Sequence, residues 1–216
     1  MTVSEIKSRF LLLLDAAYSQ AAPGFEDYQI SEFLDKAQKD YVSEAVKNKV
    51  YDDIYQLMEV TYVNLNYGHT GNTYSFEVDN MLYDYGYYVS SRMKVQRTVP
   101  SMSGVFVECD LISPDIASNF FTNGFNKPYF KNPKVFIVTP KNQDSKLTII
   151  VDAYTQADSS SNNFEITYIR IPRKVDITAG YGFQINNNVY EKLIEMAVTY
   201  AVNSLKTAKI TTQWQD

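Results

Sequence analysis

Cysteine, histidine and tryptophan are nearly missing from this chain of 216 residues, each occurring once, as Cys109, His69 and Trp214. A lone cysteine excludes an intrachain disulfide and gives no sign of an oxidising compartment, so a cytosolic setting is the default expectation. With no C-x-x-C, H-x-x-x-H or EF-hand loop, the usual zinc and calcium ligand sets are excluded. Any imidazole-dependent triad must use His69, and no G-x-S-x-G elbow accompanies it. Long apolar runs are absent as well. Leu11 to Leu14 is far too short to span a bilayer, and Thr2, Val3, Ser4 and Glu5 make no basic leader, so neither signal peptide nor anchor is expected. Positive charge is in deficit, 20 Lys and Arg against 25 Asp and Glu, which argues against a protein that grips DNA by neutralising phosphates. Gly180 and Gly182 make only G-Y-G, with no phosphate-cradling loop after a strand.

What is present is a globular composition, 45% hydrophobic and 21% charged, in a chain long enough to bury a real core. Tyrosine leads the aromatics with 18 copies. Its apolar ring and polar tip suit a core edge, the more economical reading for each residue, or a wet protein interface.

The chain is organised around residues 23–49. Ile30, Phe33, Leu34, Ala37, Tyr41, Val42, Ala45 and Val46 form one stripe at the helical period, while Lys36, Lys39, Asp40, Glu44 and Lys47 lie off it. Pro23-Gly24 stops whatever precedes, and Glu26-Asp27 offer acceptors to the free N–H groups of a helix start. Before it, Thr2 and Glu5 form a capping box for a helix over 3–19, and the short connection predicts an antiparallel hairpin of the two helices. Ile54, Leu57, Met58 and Thr61 allow a third, shorter helix, whose end is ambiguous with a strand. Residues 64–73 read as a loop.

The period then changes to two. Tyr87, Val89, Met93 and Val95 alternate with polar residues, as do Val105, Val107, Cys109 and Leu111. A turn over 100–104 would set Arg92 across from Asp110 and Lys94 across from Glu108. Ser113-Pro114-Asp115 caps a short helix through Phe120. Next comes the loop NGFNKPYFKNP, whose Phe125, Tyr129 and Phe130 either plug their own core or anchor on a neighbour. Strands follow at 135–138, 147–153 and 164–171, the last two joined by a flexible Ser/Asn loop at 158–163.

Asn188 and Glu191 open a final helix. Val189, Leu193, Met196, Ala197, Tyr200, Ala201, Ser204 and Leu205 make one stripe, and Ile194, Val198 and Val202 lie outside it, so this helix should be buried on more than one side. The expected fold is α+β. A helical bundle comes from residues 1–63 and 186–210, an inserted and mostly antiparallel β meander from 74–175, and a tail from 211–216.

Two groupings invite chemistry. Cys109 could pair with His69 as a thiol nucleophile, but its place on an apolar strand face favours an inert buried thiol. Glu108 and Asp110 could act as a carboxylate pair, although facing Arg92 and Lys94 they make a solvated charge ladder. The aromatic loop also permits a carbohydrate-binding module.

Three stretches carry a resemblance: APGFEDYQISEFLDKAQKDYV; VECDLISPDIASNFFTNGFNKPYFKNPKVFIV with LTIIVDAYT; and YIRIPRKVDI with VYEKLIEMAVTYAVNSL. In order and spacing the chain resembles structural proteins of crAss-like bacteriophages, the ring or head-to-tail connector proteins stacked beneath the portal. It departs from them at QINNNVYEKL, where related chains have an acidic Leu-Pro lead-in with a histidine, and residues 60–85 match poorly. The resemblance implies a non-enzymatic virion protein without cofactor or metal, assembled in the host cytoplasm into a twelve-fold ring. It would contact itself, the portal and neighbouring ring or tail proteins, with no membrane, and genomic DNA would pass through its lumen without specific binding. The multiply apolar last helix, through Ile194, Val198 and Val202, and the loop residues Phe125, Tyr129 and Phe130 would supply the two patches of a heterologous ring interface.

Overall fold

Thr2 and Glu5 start the first helix by reciprocal bonds, Glu5 Oε2 accepting from the Thr2 backbone at 2.7 Å and Thr2 Oγ1 from the Glu5 backbone at 3.3 Å. The computed structural model describes residues 1–17, 24–65, 73–77, 84–97, 101–117, 128–138, 146–152 and 154–213. Among these residues there are four helices and two mostly antiparallel sheets, an α+β fold with an inserted β domain. The chain divides into a helical unit, Met1–Leu57 with Pro172–Asp216, and a β unit, Met58–Ile171.

In the helical unit, α1 (Val3–Ala17) buries Ile6, Phe10 and Leu14, and α2 (Asp27–Lys47) buries Ile30, Leu34, Ala37, Tyr41, Val42 and Ala45. Gln29 Oε1 accepts from the Glu26 backbone at 2.9 Å, closing the N-terminus of α2. The final helix, Tyr190–Gln213, follows a 3-10 turn over Asn187–Val189. It packs against both α1 and α2, so the expected α1–α2 hairpin gives way to two helices that each pair with the C-terminal one. The reason is its circumference: Leu193, Ile194, Ala197, Val198 and Ala201 are all buried, and one stripe could not serve two partners. The helix also runs through 211–213, where a tail was expected.

The β unit corrects several boundaries. Residues 55–57 form only a 3-10 turn, and Met58–Val63 is strand β1, paired along its length with Phe164–Arg170. The third helix is therefore absent, because Val60, Tyr62 and Val63 take β neighbours. With β2 (Thr73–Glu77), β3 (Tyr85–Arg97), β4 (Met102–Glu108), β5 (Asp110–Leu111), helix α3 (Pro114–Ala117), β6 (Lys134–Val138), β7 (Lys146–Ile150), β8 (Thr155–Ala157) and β9 (Phe164–Arg170), the chain builds two sheets. One has the order β1-β9-β3-β4, with β8 also on β3; the other is β2-β7-β6-β5, in which β5 and β6 run parallel. This is not the expected meander. β9 is buried on nearly every residue and so takes a strand on each side. Val63, Met93, Val95 and Phe164 from the first sheet meet Tyr74, Val135, Leu147 and Ile149 from the second in one core.

β3 carries two register shifts against β9, at Tyr85/Tyr87 and Tyr88/Ser90. Each extra residue reverses the alternation, so Tyr88 packs toward the core while Tyr87 is exposed. Gly86 lies at the first shift, where a Cβ would stand 2.9 Å from the Ile169 carbonyl oxygen. Arg92 lies across from Glu108 and Lys94 from Phe106, two residues out of the expected register and on the same face. The Ser/Asn loop at 158–163 is tied down, because buried Asn163 donates to the Leu65 and Asp158 carbonyls at 3.1 and 2.9 Å and accepts from the Leu65 N–H at 2.6 Å.

Candidate functional site

Cys109 follows β4 with its backbone bonded to Ser91, and the residue is 8% exposed. Burial pushes that thiol up to about 12, the behaviour of an inert core residue rather than a nucleophile. His69 lies outside the described residues. Glu108 and Asp110 end in different sheets, since β5 joins the second one. Asp110 accepts from Lys134 Nζ at 2.6 Å, which lowers its carboxyl below the usual range. Arg92 spends its guanidinium on Glu165, with Nε and Nη2 contacts of 2.7 to 2.9 Å. The expected ladder does not form: Arg92 pairs with Glu165, which β9 brings beside it, and Lys94 Nζ donates to Ser160 Oγ at 2.8 Å. Among the described residues, no group of three or more His, Cys, Asp or Glu side chains is placed to hold a metal ion. Nor is any described helix long and apolar enough to cross a membrane.

The aromatic loop splits by role. Phe125 lies outside the described residues. Pro128 and Pro133 are buried around a turn closed by a Tyr129–Asn132 bridge. Phe130 is 9% exposed and Tyr129 55% exposed, their ring centroids 4.5 Å apart. The Arg97 guanidinium lies 4.4 Å from the Phe130 centroid and 5.9 Å from that of exposed Tyr154. Lys131 Nζ lies 5.6 Å from the same Phe130 ring. This turn is a cation-bearing aromatic tip whose inner ring is held by the β unit itself.

Of the predicted interface residues on the last helix, Ile194 is 0% and Val198 6% exposed within the single chain, and Val202 is half-buried. Ile194 and Val198 are therefore corrected from contact surface to interior, buried along with the stripe residues Leu193, Ala197 and Ala201.

The helical unit holds a polar seam that the apolar stripe concealed. Ser31, Asp35 and Gln38 recur at helical spacing beside the stripe, and all are buried. Gln38 donates to the Arg173 carbonyl at 3.2 Å and accepts from the Gln184 N–H at 2.7 Å. Asp35 accepts from the Val175 N–H at 3.2 Å, and Ser31 Oγ from the Ile177 N–H at 3.0 Å. The irregular chain after Pro172 pairs with itself at the Asp176–Tyr181 bridge and finds further backbone partners on α2. Polar residues at positions 31, 35 and 38 of an otherwise apolar face were the available signal. Farther along α2, a depression of about 150 Å³ is lined by Tyr41, Glu44, Ala45, Asn48, Val50 and Lys192. Beside it Asp53 accepts from Tyr41 and Asn188 at 2.6 and 2.9 Å, bonds that hold its carboxyl below the usual range. Burial, with this bond, pushes Tyr41 up to about 12. The chain matches no protein-family model and no curated protein.

Proposed function

We propose that this chain is a non-enzymatic structural protein of a virion that forms a twelve-fold ring in the head-to-tail connector. There it would continue the DNA channel below the portal and dock neighbouring ring or tail proteins. The observation that carries this reading is how two of the resembling stretches meet. The helix stretch supplies Ser31, Asp35 and Gln38, and the stretch containing YIRIPRKVDI, with the residues after it, supplies the backbone they hold. Parts that lock into one structural unit support treating the resemblance as one pattern instead of three coincidences. The net charge of −5 is compatible with a lumen along which DNA slides, since phosphates are repelled and not gripped.

The test is the particle mass of the purified chain, alone and mixed with its cognate portal, followed by negative-stain imaging. Rings, with or without the portal, are the expected outcome. A monomer that ignores the portal and instead binds an oligosaccharide in titration would replace this reading with a glycan-binding module.

A further inference from the structure

Arg97 and Thr155 stand directly opposite each other in the antiparallel β3–β8 pair, two residues along from Val95 and Ala157, which are both fully buried. Side chains two apart on a strand share a face, so Arg97 and Thr155 continue the core face of this sheet. Each carries a buried polar atom, Arg97 Nε and Thr155 Oγ1, with no hydrogen-bond partner among the described residues. Arg97 as a whole is half-buried, and Thr155 is 2% exposed. Buried polar atoms are nearly always bonded, so two such atoms on one cross-strand pair mark a place where an acceptor belongs. The Nε–H can only donate, and a threonine hydroxyl can donate beside it.

Neighbouring groups do not supply that acceptor. Asp152 is the acid nearest to Thr155 in sequence, and its carboxylate accepts from the Tyr154 N–H at 2.8 Å in the turn before β8. Glu165, Glu59 and Asp110 are engaged with Arg92, Arg170 and Lys134. Lys94, the next cation back along β3, donates to Ser160 Oγ at 2.8 Å, so it differs from Arg97 in having its partner. The Arg97 guanidinium is held by rings instead, 4.4 Å from the Phe130 centroid and 5.9 Å from that of Tyr154. Stacking of this kind fixes a guanidinium without neutralising it. Lys131 Nζ, 5.6 Å from the same Phe130 centroid, adds a second positive charge.

We propose that Arg97 Nε and Thr155 Oγ1 form a binding site for a small oxyanion, a carboxylate or phosphate group whose oxygens accept from both. Two donors side by side, one of them on a guanidinium, match two oxygens of such a group. The charge of Lys131 favours a ligand of the same sign. One chain supplies every residue of the site, which therefore stands apart from the ring reading.

The test is a titration of the full chain with sodium phosphate and, separately, with sodium acetate, against sodium chloride at matched ionic strength. Two readouts are followed, the NMR signal of the Arg97 Nε–H, assigned by its loss in Arg97→Lys, and the melting temperature. A saturable shift of that signal with at least one of the two anions is expected, and the tighter anion names the ligand class. Thr155→Val keeps the shape and removes one donor, so it should bind about tenfold more weakly. In chloride alone it should melt at or above wild type, because an unpartnered buried hydroxyl has been removed. A variant that melts lower than wild type in chloride would show that the hydroxyl already has a structural partner, and would overturn the site. An Arg97 signal that ignores both anions would overturn it too. So would melting shifts equal in wild type and variant, which general exclusion of salt from the surface produces. If Thr155→Val does not fold, the wild-type NMR titration decides alone.

Discussion

Gln38 is fully buried and bonds two distant backbone groups, the Arg173 carbonyl and the Gln184 N–H. Replacing it with Leu keeps similar volume and removes both bonds. Because Arg173 is exposed and Gln184 half-buried, water can take over part of that bonding, and chemical denaturation of Gln38→Leu should show a loss of about 1–2 kcal/mol. A change below about 0.5 kcal/mol would mean that water replaces the side chain. The apolar residues around Gln38 were legible because burial follows a period; Ile30, Leu34 and Ala37 are each 0% exposed. The partners of Gln38 were not: polar residues at 31, 35 and 38 beside the stripe hint at a buried seam, but nothing local names the distant backbone they hold. Arg97 and Tyr154 were missed for the same reason: their value depends on Phe130, which is remote in sequence.

At the scale of elements, the turn around residues 128–133 divides into an anchor and a tip. Phe130→Ala should cost about 3 kcal/mol of stability, as a buried aromatic does, whereas Tyr129→Ala should stay within about 0.5 kcal/mol. Thermal melts of the two variants check this, and equal losses would place Tyr129 in the core as well. The Thr2–Glu5 capping box and the three long helices were legible, because caps and stripes are local signals; the Glu26–Gln29 box was not read, and the last helical stretch is capped by Asn186, whose side chain accepts from the Asn188 N–H, instead of by Asn188 itself. Sheet order was not legible. Alternation marks a strand without naming its neighbours, and β9 separates β1 from β3 across long stretches of chain. The phase of β3 escaped as well. A pattern read at period two carries Tyr87 and Val89 inward, while the two register shifts turn Tyr88 to the core instead. The last helix was recognised as apolar on several sides, yet only the packing decides that Ile194 and Val198 serve neighbours within the chain.

For the whole molecule, protons held by burial set an alkaline limit. Cys109, Tyr41 and Tyr168 are each pushed up to about 12, chiefly by burial. A group whose folded value is raised contributes stability that is complete below its unfolded value, near 8.5 for a thiol and about 10 for a phenol. That contribution is lost as pH rises through the folded value. Urea midpoints should therefore fall progressively from about pH 9 to 12, and a flat profile would show that these groups are accessible in the folded chain. Division into two units has a further consequence, one of timing. The β unit is a single unbroken stretch, but the helical unit takes its first helices from one end of the chain and its last from the other. During synthesis at roughly 5–20 residues per second, α1 and α2 wait on the order of ten to thirty seconds for the helix that covers them. Throughout that wait Phe10, Leu14, Ile30 and Leu34 lack the last helix that covers them, so the nascent chain is open to chaperones and to aggregation until that helix emerges.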